Sequence, residues 1–129
     1  MLNDNAKLWV AALRSGRFKQ GRGCLTKLVD GGQLDCCLGV ACKVAIENGL
    51  AVEVKPATFD VLMYEGETGI LPESVASWLG LEKCNGVFGK VPSDFQQLTE
   101  MNDNGKTFAE IADIIESEPE GLFVTPRPE

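Results

Sequence analysis

The chain contains no histidine. Serine or cysteine triads built on an imidazole base, histidine-bearing zinc sites and imidazole proton shuttles are therefore excluded within one copy of the chain. Carboxylates or a lysine could still do acid and base work, but no pair is marked by its position, so no catalytic residue is assigned and a non-enzyme is expected. Cys-x-x-Cys is also missing: Cys24, Cys36, Cys37, Cys42 and Cys84 are odd in number and include an adjacent pair. Neither a secreted disulfide framework nor a zinc knuckle fits that spacing, so reduced thiols and no metal are expected. No apolar run approaches the ~20 residues of a membrane span, and Met1 to Lys7 lacks the basic and apolar regions of a leader. A cytoplasmic protein with no membrane partner is the expectation. No glycine pattern of a nucleotide-binding loop occurs either, and no cofactor is implied.

Basic residues are scarce beyond the first fifth of the chain. Residues 1–27 hold six basic residues and one acid, whereas residues 28–129 hold six basic and eighteen acidic ones, so charges of +5 and −12 combine to the net −7. Most of the surface field of such a protein repels phosphate, which disfavours general nucleic-acid binding. A local basic cluster can still hold a few phosphates.

With 129 residues and 44% hydrophobic content, the chain suits one compact domain, residues 1–129, with a loose tail from about residue 122. The patterning predicts an α+β fold in which a small antiparallel sheet accompanies about five helices. Leu34 to Gly49 dominates: between a start signal at Asp35 and a stop at Gly49, only Lys43 and Glu47 interrupt an apolar surface. A helix without a solvated face belongs at the centre of a domain, and its cysteines read as small core residues. Before it, Asn3 or Asp4 caps a helix with a Leu8, Trp9, Ala12 and Leu13 stripe, and Cys24 to Val29 forms a hairpin with Gln33 to Asp35 across Asp30-Gly31-Gly32. After it, strands are expected at 51–55 and 58–64, a short helix behind Pro72 with Trp78 as a core anchor, and an edge strand at 87–91. Ser93 with Gln96 reads as a capping box opening a helix through Met101, and Thr107 with Glu110 as another. In the second of these helices Phe108, Ile111, Ala112 and Ile115 face inward.

Thr107 to Glu116 resembles the first helix of a helix-turn-helix, but the acidic, helix-breaking Glu118-Pro119-Glu120-Gly121 stands where a reading helix would come next. Groove insertion by this segment is not expected. Two other groups are candidate sites. Arg17, Lys19 and Arg22, with the Gly21 and Gly23 amides, could form an anion cradle, since guanidinium groups bind phosphate in a fork and glycines admit close approach. Glu110, Asp113 and Glu116 could present a line of acids to a basic partner. A solvated loop and a solvated helix face are the ordinary alternatives for these two runs.

Four phrases together carry a resemblance: Trp9-x-x-Ala12-Leu13-x-Ser15-Gly16-x-Phe18-x-Gln20-Gly21, Cys36-Cys37-Leu38-Gly39-Val40-x-Cys42, Leu71-Pro72-x-x-Val75-x-x-Trp78-Leu79-Gly80-Leu81, and Asn102-Asp103-x-Gly105-x-Thr107-Phe108-x-x-Ile111-Ala112. In order and spacing the chain resembles short proteins encoded by tailed phages and prophages. The resemblance spans most of the chain and implies an accessory protein working inside an infected or lysogenic bacterium. It carries no catalytic residues onto this sequence. The expected function is a small binding protein acting on a host component, either sequestering a small phosphorylated signal or inhibiting a host defence protein. The alternative is nucleic-acid binding through the basic segment 14–27. Oligomeric state is left open.

Overall fold

The computed structural model describes residues 2–124, and the expected tail at 125–129 lies outside them. The chain opens with α1 (Asp4–Arg14), capped by Asn3, whose side chain accepts from the Ala6 amide. Strands β1 (Lys19–Gln20), β2 (Thr26–Val29) and β3 (Gly32–Asp35) lead into α2 (Cys37–Glu47), and β4 (Val54–Pro56) and β5 (Val61–Tyr64) come after it. Next come α3 (Glu73–Leu79), β6 (Val87–Phe88), a 3-10 turn at Pro92–Asp94, β7 (Gln96–Gln97), α4 (Leu98–Asp103) and α5 (Phe108–Glu116). The fold is α+β, as the patterning predicts. Five strands form one sheet in the order β1-β3-β2-β5-β4, and β6 pairs with β7 apart from it. All pairings are antiparallel except the two-residue β1–β3 ladder, so the larger sheet is mixed.

Helix α2 is the centre of the core. Cys37, Leu38, Gly39, Val40, Ala41, Cys42, Val44 and Ala45 are all buried, and the helix meets α1, α3, α4 and β3. Burial on every side follows from a sequence with almost no polar face. Trp9 is fully buried against it and donates its indole N–H to the Cys37 carbonyl at 2.9 Å, which matches the one polar atom of a large apolar side chain. Gly39 lets the helix touch β2's approach segment: a Cβ there would stand 2.0 Å from the Leu25 carbonyl oxygen. Trp78 is only half-buried, packed on the core from α3.

The strands expected at 51–55 and 58–64 are shorter, Val54–Pro56 and Val61–Tyr64, and four other boundaries differ from expectation for local reasons. The α2 cap is Cys36, whose sulfur accepts from the Gly39 amide, and not Asp35, whose carboxylate turns across the hairpin instead. The Ser93 capping box does not form. Pro92 to Asp94 make a 3-10 turn, Gln96–Gln97 pair with β6, and α4 begins at Leu98 without a side-chain cap. The expected strand at 87–91 stops after Phe88, because Gly89 adopts φ +138° and its amide bonds the Glu120 carbonyl. Residues 122–124 are not loose: Leu122 is fully buried, Glu82 N–H bonds its carbonyl, and Val124 N–H bonds the Gly80 carbonyl. An apolar residue just past a helix breaker has folded back onto the core.

Both edges of the larger sheet are short. On β4 the Glu53 carbonyl and the Ala57 amide bond β5, which by the antiparallel alternation turns Val54 and Pro56 outward. Pro56 has no N–H to offer there.

Candidate functional site

The β2–β3 turn, β1 and the middle of α2 converge on a cleft of about 320 Å³ lined by Arg17, Phe18, Lys19, Val29, Asp30, Gln33, Asp35 and Lys43, together with Gly31 and Gly32. Three of these residues are cationic and two, Asp30 and Asp35, are acidic. Lys43 reaches it because its helix, otherwise buried from Cys37 to Ala45, passes beneath the end of β3. There the ammonium group donates to Asp35 Oδ2 at 2.9 Å and to Gln33 Oε1. Asp35 is 1% exposed. Its other oxygen accepts from Thr26 Oγ1 at 2.6 Å, and Thr26 Oγ1 lies 2.8 Å from the Tyr64 hydroxyl. Since Thr26 gives its single proton to Asp35, Tyr64 is the donor to Thr26. A continuous line of hydrogen bonds thus runs from Tyr64 in the core to Lys43 in the cleft. Every member of it is matched, which is the condition for a stable buried polar group. Burial pushes the Tyr64 hydroxyl up to about 12, so it is a proton donor and no base at neutral pH.

At the mouth, Arg17 forms a two-bonded fork with Glu47 of α2 at 3.1 and 3.2 Å. The hydrogen bond from Arg17 lowers the Glu47 carboxyl below its ordinary value. The same guanidinium lies 4.8 Å from the Phe18 ring centre, and the Lys43 ammonium lies 5.8 Å from it. Both distances suit cation–π attraction, which helps hold the two cations at the cleft. Lys19 has no carboxylate partner among the described residues.

The five residues of the expected cradle are not brought together. Arg17 and Lys19 line the cleft, but Gly21 is pressed against β3: its amide bonds the Asp35 carbonyl at 2.8 Å, and a Cβ would stand 2.7 Å from that of Leu34. The Gly23 amide bonds Asp103 Oδ1 at 3.0 Å, and the Arg22 guanidinium lies toward Gly105 at the α4–α5 turn. Neither glycine amide is open to an anion, because the loop is tied to its neighbours on both sides. The tie is Asn102, fully buried, which accepts from Gln20 and the Cys37 amide and donates to the Gly21 carbonyl.

The expected acidic line is likewise engaged within the chain. Arg14 bonds Asp113 at 2.8 Å and Glu116 at 2.6 Å, joining α1 to α5. Glu110 closes the Thr107 capping box, and the backbone hydrogen bond at Thr107 lowers its carboxyl. These three acids fasten the fold's own helices. Sequence reasoning marked Lys43 only as a break in α2 and Asp35 only as a start signal. The signal that could have joined them is their spacing, eight residues across one strand end and two helical turns.

Burial outweighs every activating influence on the thiols, including the Lys27 charge near Cys24. Desolvation pushes Cys36 up to about 11 and raises Cys37 and Cys42 further, while Cys24 and Cys84 are raised less and by the same cause. A nucleophilic cysteine needs the opposite shift. Among the described residues no group of three or more cysteine or carboxylate side chains is placed to hold a metal ion, and no helix is long and apolar enough to cross a membrane.

Comparison with curated proteins and with solved structures finds no match. A family profile does match, over residues 1–119, and by that match the chain belongs to the family described as "Domain of unknown function (DUF8296)".

Proposed function

We propose that this is a phage-type accessory protein without enzymatic activity, which acts on a host component in the bacterial cytoplasm by holding a small phosphorylated ligand in the Arg17–Lys43 cleft. The observation that carries the reading is the gathering of Arg17, Lys19 and Lys43 in one concave site of a chain whose net charge is −7. Arg17 and Lys43 are already oriented, by Glu47 and Asp35. Lys19 adds a charge with no carboxylate on it. Preorganised cations lose little side-chain entropy when an anion arrives, and that favours affinity over what the same residues would give in a mobile loop. The absence of imidazole and the raised thiols support binding over turnover. Blocking a defence protein through Glu110, Asp113 and Glu116 is less favoured: all three acids are engaged within the chain, whereas the cleft, with Arg17 and Lys43 paired, keeps Lys19 without a carboxylate partner among the described residues.

The test is calorimetric titration of the full chain with inorganic phosphate, pyrophosphate and nucleoside monophosphates. At least one should bind, and Arg17→Ala with Lys19→Glu together should weaken it about tenfold or more, as expected for losing charge-assisted hydrogen bonds. Arg22→Glu, at a cation outside the cleft, should leave affinity nearly unchanged. No binding by any probe, or equal affinity in the double variant, would sink the proposal.

A further inference from the structure

A second cleft opens between the β1–β2 loop and the start of α4, away from the cationic site. It measures about 270 Å³ and is lined by Cys24, Ile70, Asn85, Gln97, Thr99 and Asp103 among others. Among the described residues no lysine or arginine lines it, so these residues offer a phosphate no counter-charge there. Its size is at the small end for ligand clefts, which run upward from roughly 300 Å³. A single heterocycle would fill it.

The cleft offers hydrogen-bonding atoms that the fold leaves open beside the aliphatic Ile70. Gln97 Oε1 accepts from Asn85 Nδ2 at 3.3 Å and from Thr99 Oγ1 at 3.2 Å. Those bonds leave Gln97 Nε2 as a donor and Asn85 Oδ1 as an acceptor without partners among the described residues. Asp103 Oδ1 takes the Gly23 amide, leaving Oδ2 as a second open acceptor. The complement is a planar group with at least two N–H donors and one acceptor. Among nucleobases, the pairing edge of guanine presents two donors and one acceptor. Adenine and cytosine present a single donor group there, and uracil one donor between two acceptors.

We infer that this cleft binds a guanine base, with Asp103 and Asn85 accepting its N–H groups and Gln97 donating to its carbonyl oxygen. The inference is independent of the phosphate reading, because the group recognised carries no phosphate. Guanosine, inosine and adenosine are titrated into the isotope-labelled full chain, following the side-chain amides of Asn85 and Gln97 and the Gly23 amide. Guanosine should move these signals saturably. Inosine lacks the exocyclic amino group and should bind about tenfold or more weakly, the scale set by one charged acceptor losing its donor. Adenosine should leave the signals in place. Asp103→Asn keeps the shape while replacing one acceptor and should weaken guanosine. Should that variant not fold, the guanosine and inosine comparison on the unaltered chain still decides. No shift with guanosine, equal affinity for inosine, or shifts confined to the Arg17–Lys43 cleft would overturn the assignment.

Discussion

Lys43 stands on a helix whose residues from Cys37 to Ala45 are otherwise buried, and its ammonium group answers the Asp35 carboxylate at the end of β3. Gly39, one turn earlier, lets the helix press against Leu25 at the approach to β2. Its missing side chain is occupied by the Leu25 backbone, which has nowhere to move. Gly39→Ala should therefore cost about 4 kcal/mol or more, in the range reserved for overpacked core sites, measured by urea unfolding. A loss within about 1 kcal/mol, the ordinary helix propensity scale, would show that α2 does not ride on Leu25. Residues of this kind were only half legible in the sequence. Lys43 was visible as an interruption and Asn102 as a turn residue, but their partners are set by long-range contacts that periodicity does not encode. Asn102 has its partners at Gln20, Gly21 and Cys37, all far away along the chain.

The helices show what local patterning can and cannot decide. Thr107 and Ser93 head the same kind of capping sequence, yet only Thr107 forms its box. Their neighbours make the difference. After Thr107 come four apolar residues at helical spacing, all buried, whereas Pro92 and the exposed Phe95 flank Ser93, and Gln96 is drawn into a ladder with Phe88. Thr107→Ala should lower stability by about 1 kcal/mol, as the loss of a cap does. Ser93→Ala should stay within about 0.5 kcal/mol, as surface changes do. Thermal or urea unfolding of the two variants gives the comparison, and equal losses would mean that the 3-10 turn is capped after all. Helices α1, α2, α3 and α5 were legible because their apolar faces are long and regular. The β1 ladder of two residues was not, since no alternation can be read over so short a stretch. The candidate site shared that fate: two of its cations were visible on one loop, while the third comes from the core helix.

At the scale of the whole molecule, buried acids of weak acidity set the response to alkali. Cys36 is raised from the ordinary thiol value of 9.0 to about 11, and Cys37, Cys42 and Tyr64 are raised by the same loss of solvent. Their stabilising effect is complete below the unfolded thiol value. As pH rises past it, the unfolded chain releases protons that the folded chain retains, so stability falls toward the folded values. Urea midpoints should decline from about pH 9 upward. Cys42→Ala should make that decline shallower, whatever it costs at neutral pH. A midpoint flat to about pH 11 would contradict the burial of these thiols. The sheet itself ends in a proline-bearing rim on one side and a two-residue strand on the other. Both borders are short, and Pro56 removes one donor from the β4 side, so recognition by side chains in the protein's hollows is favoured over backbone zippering along its margins.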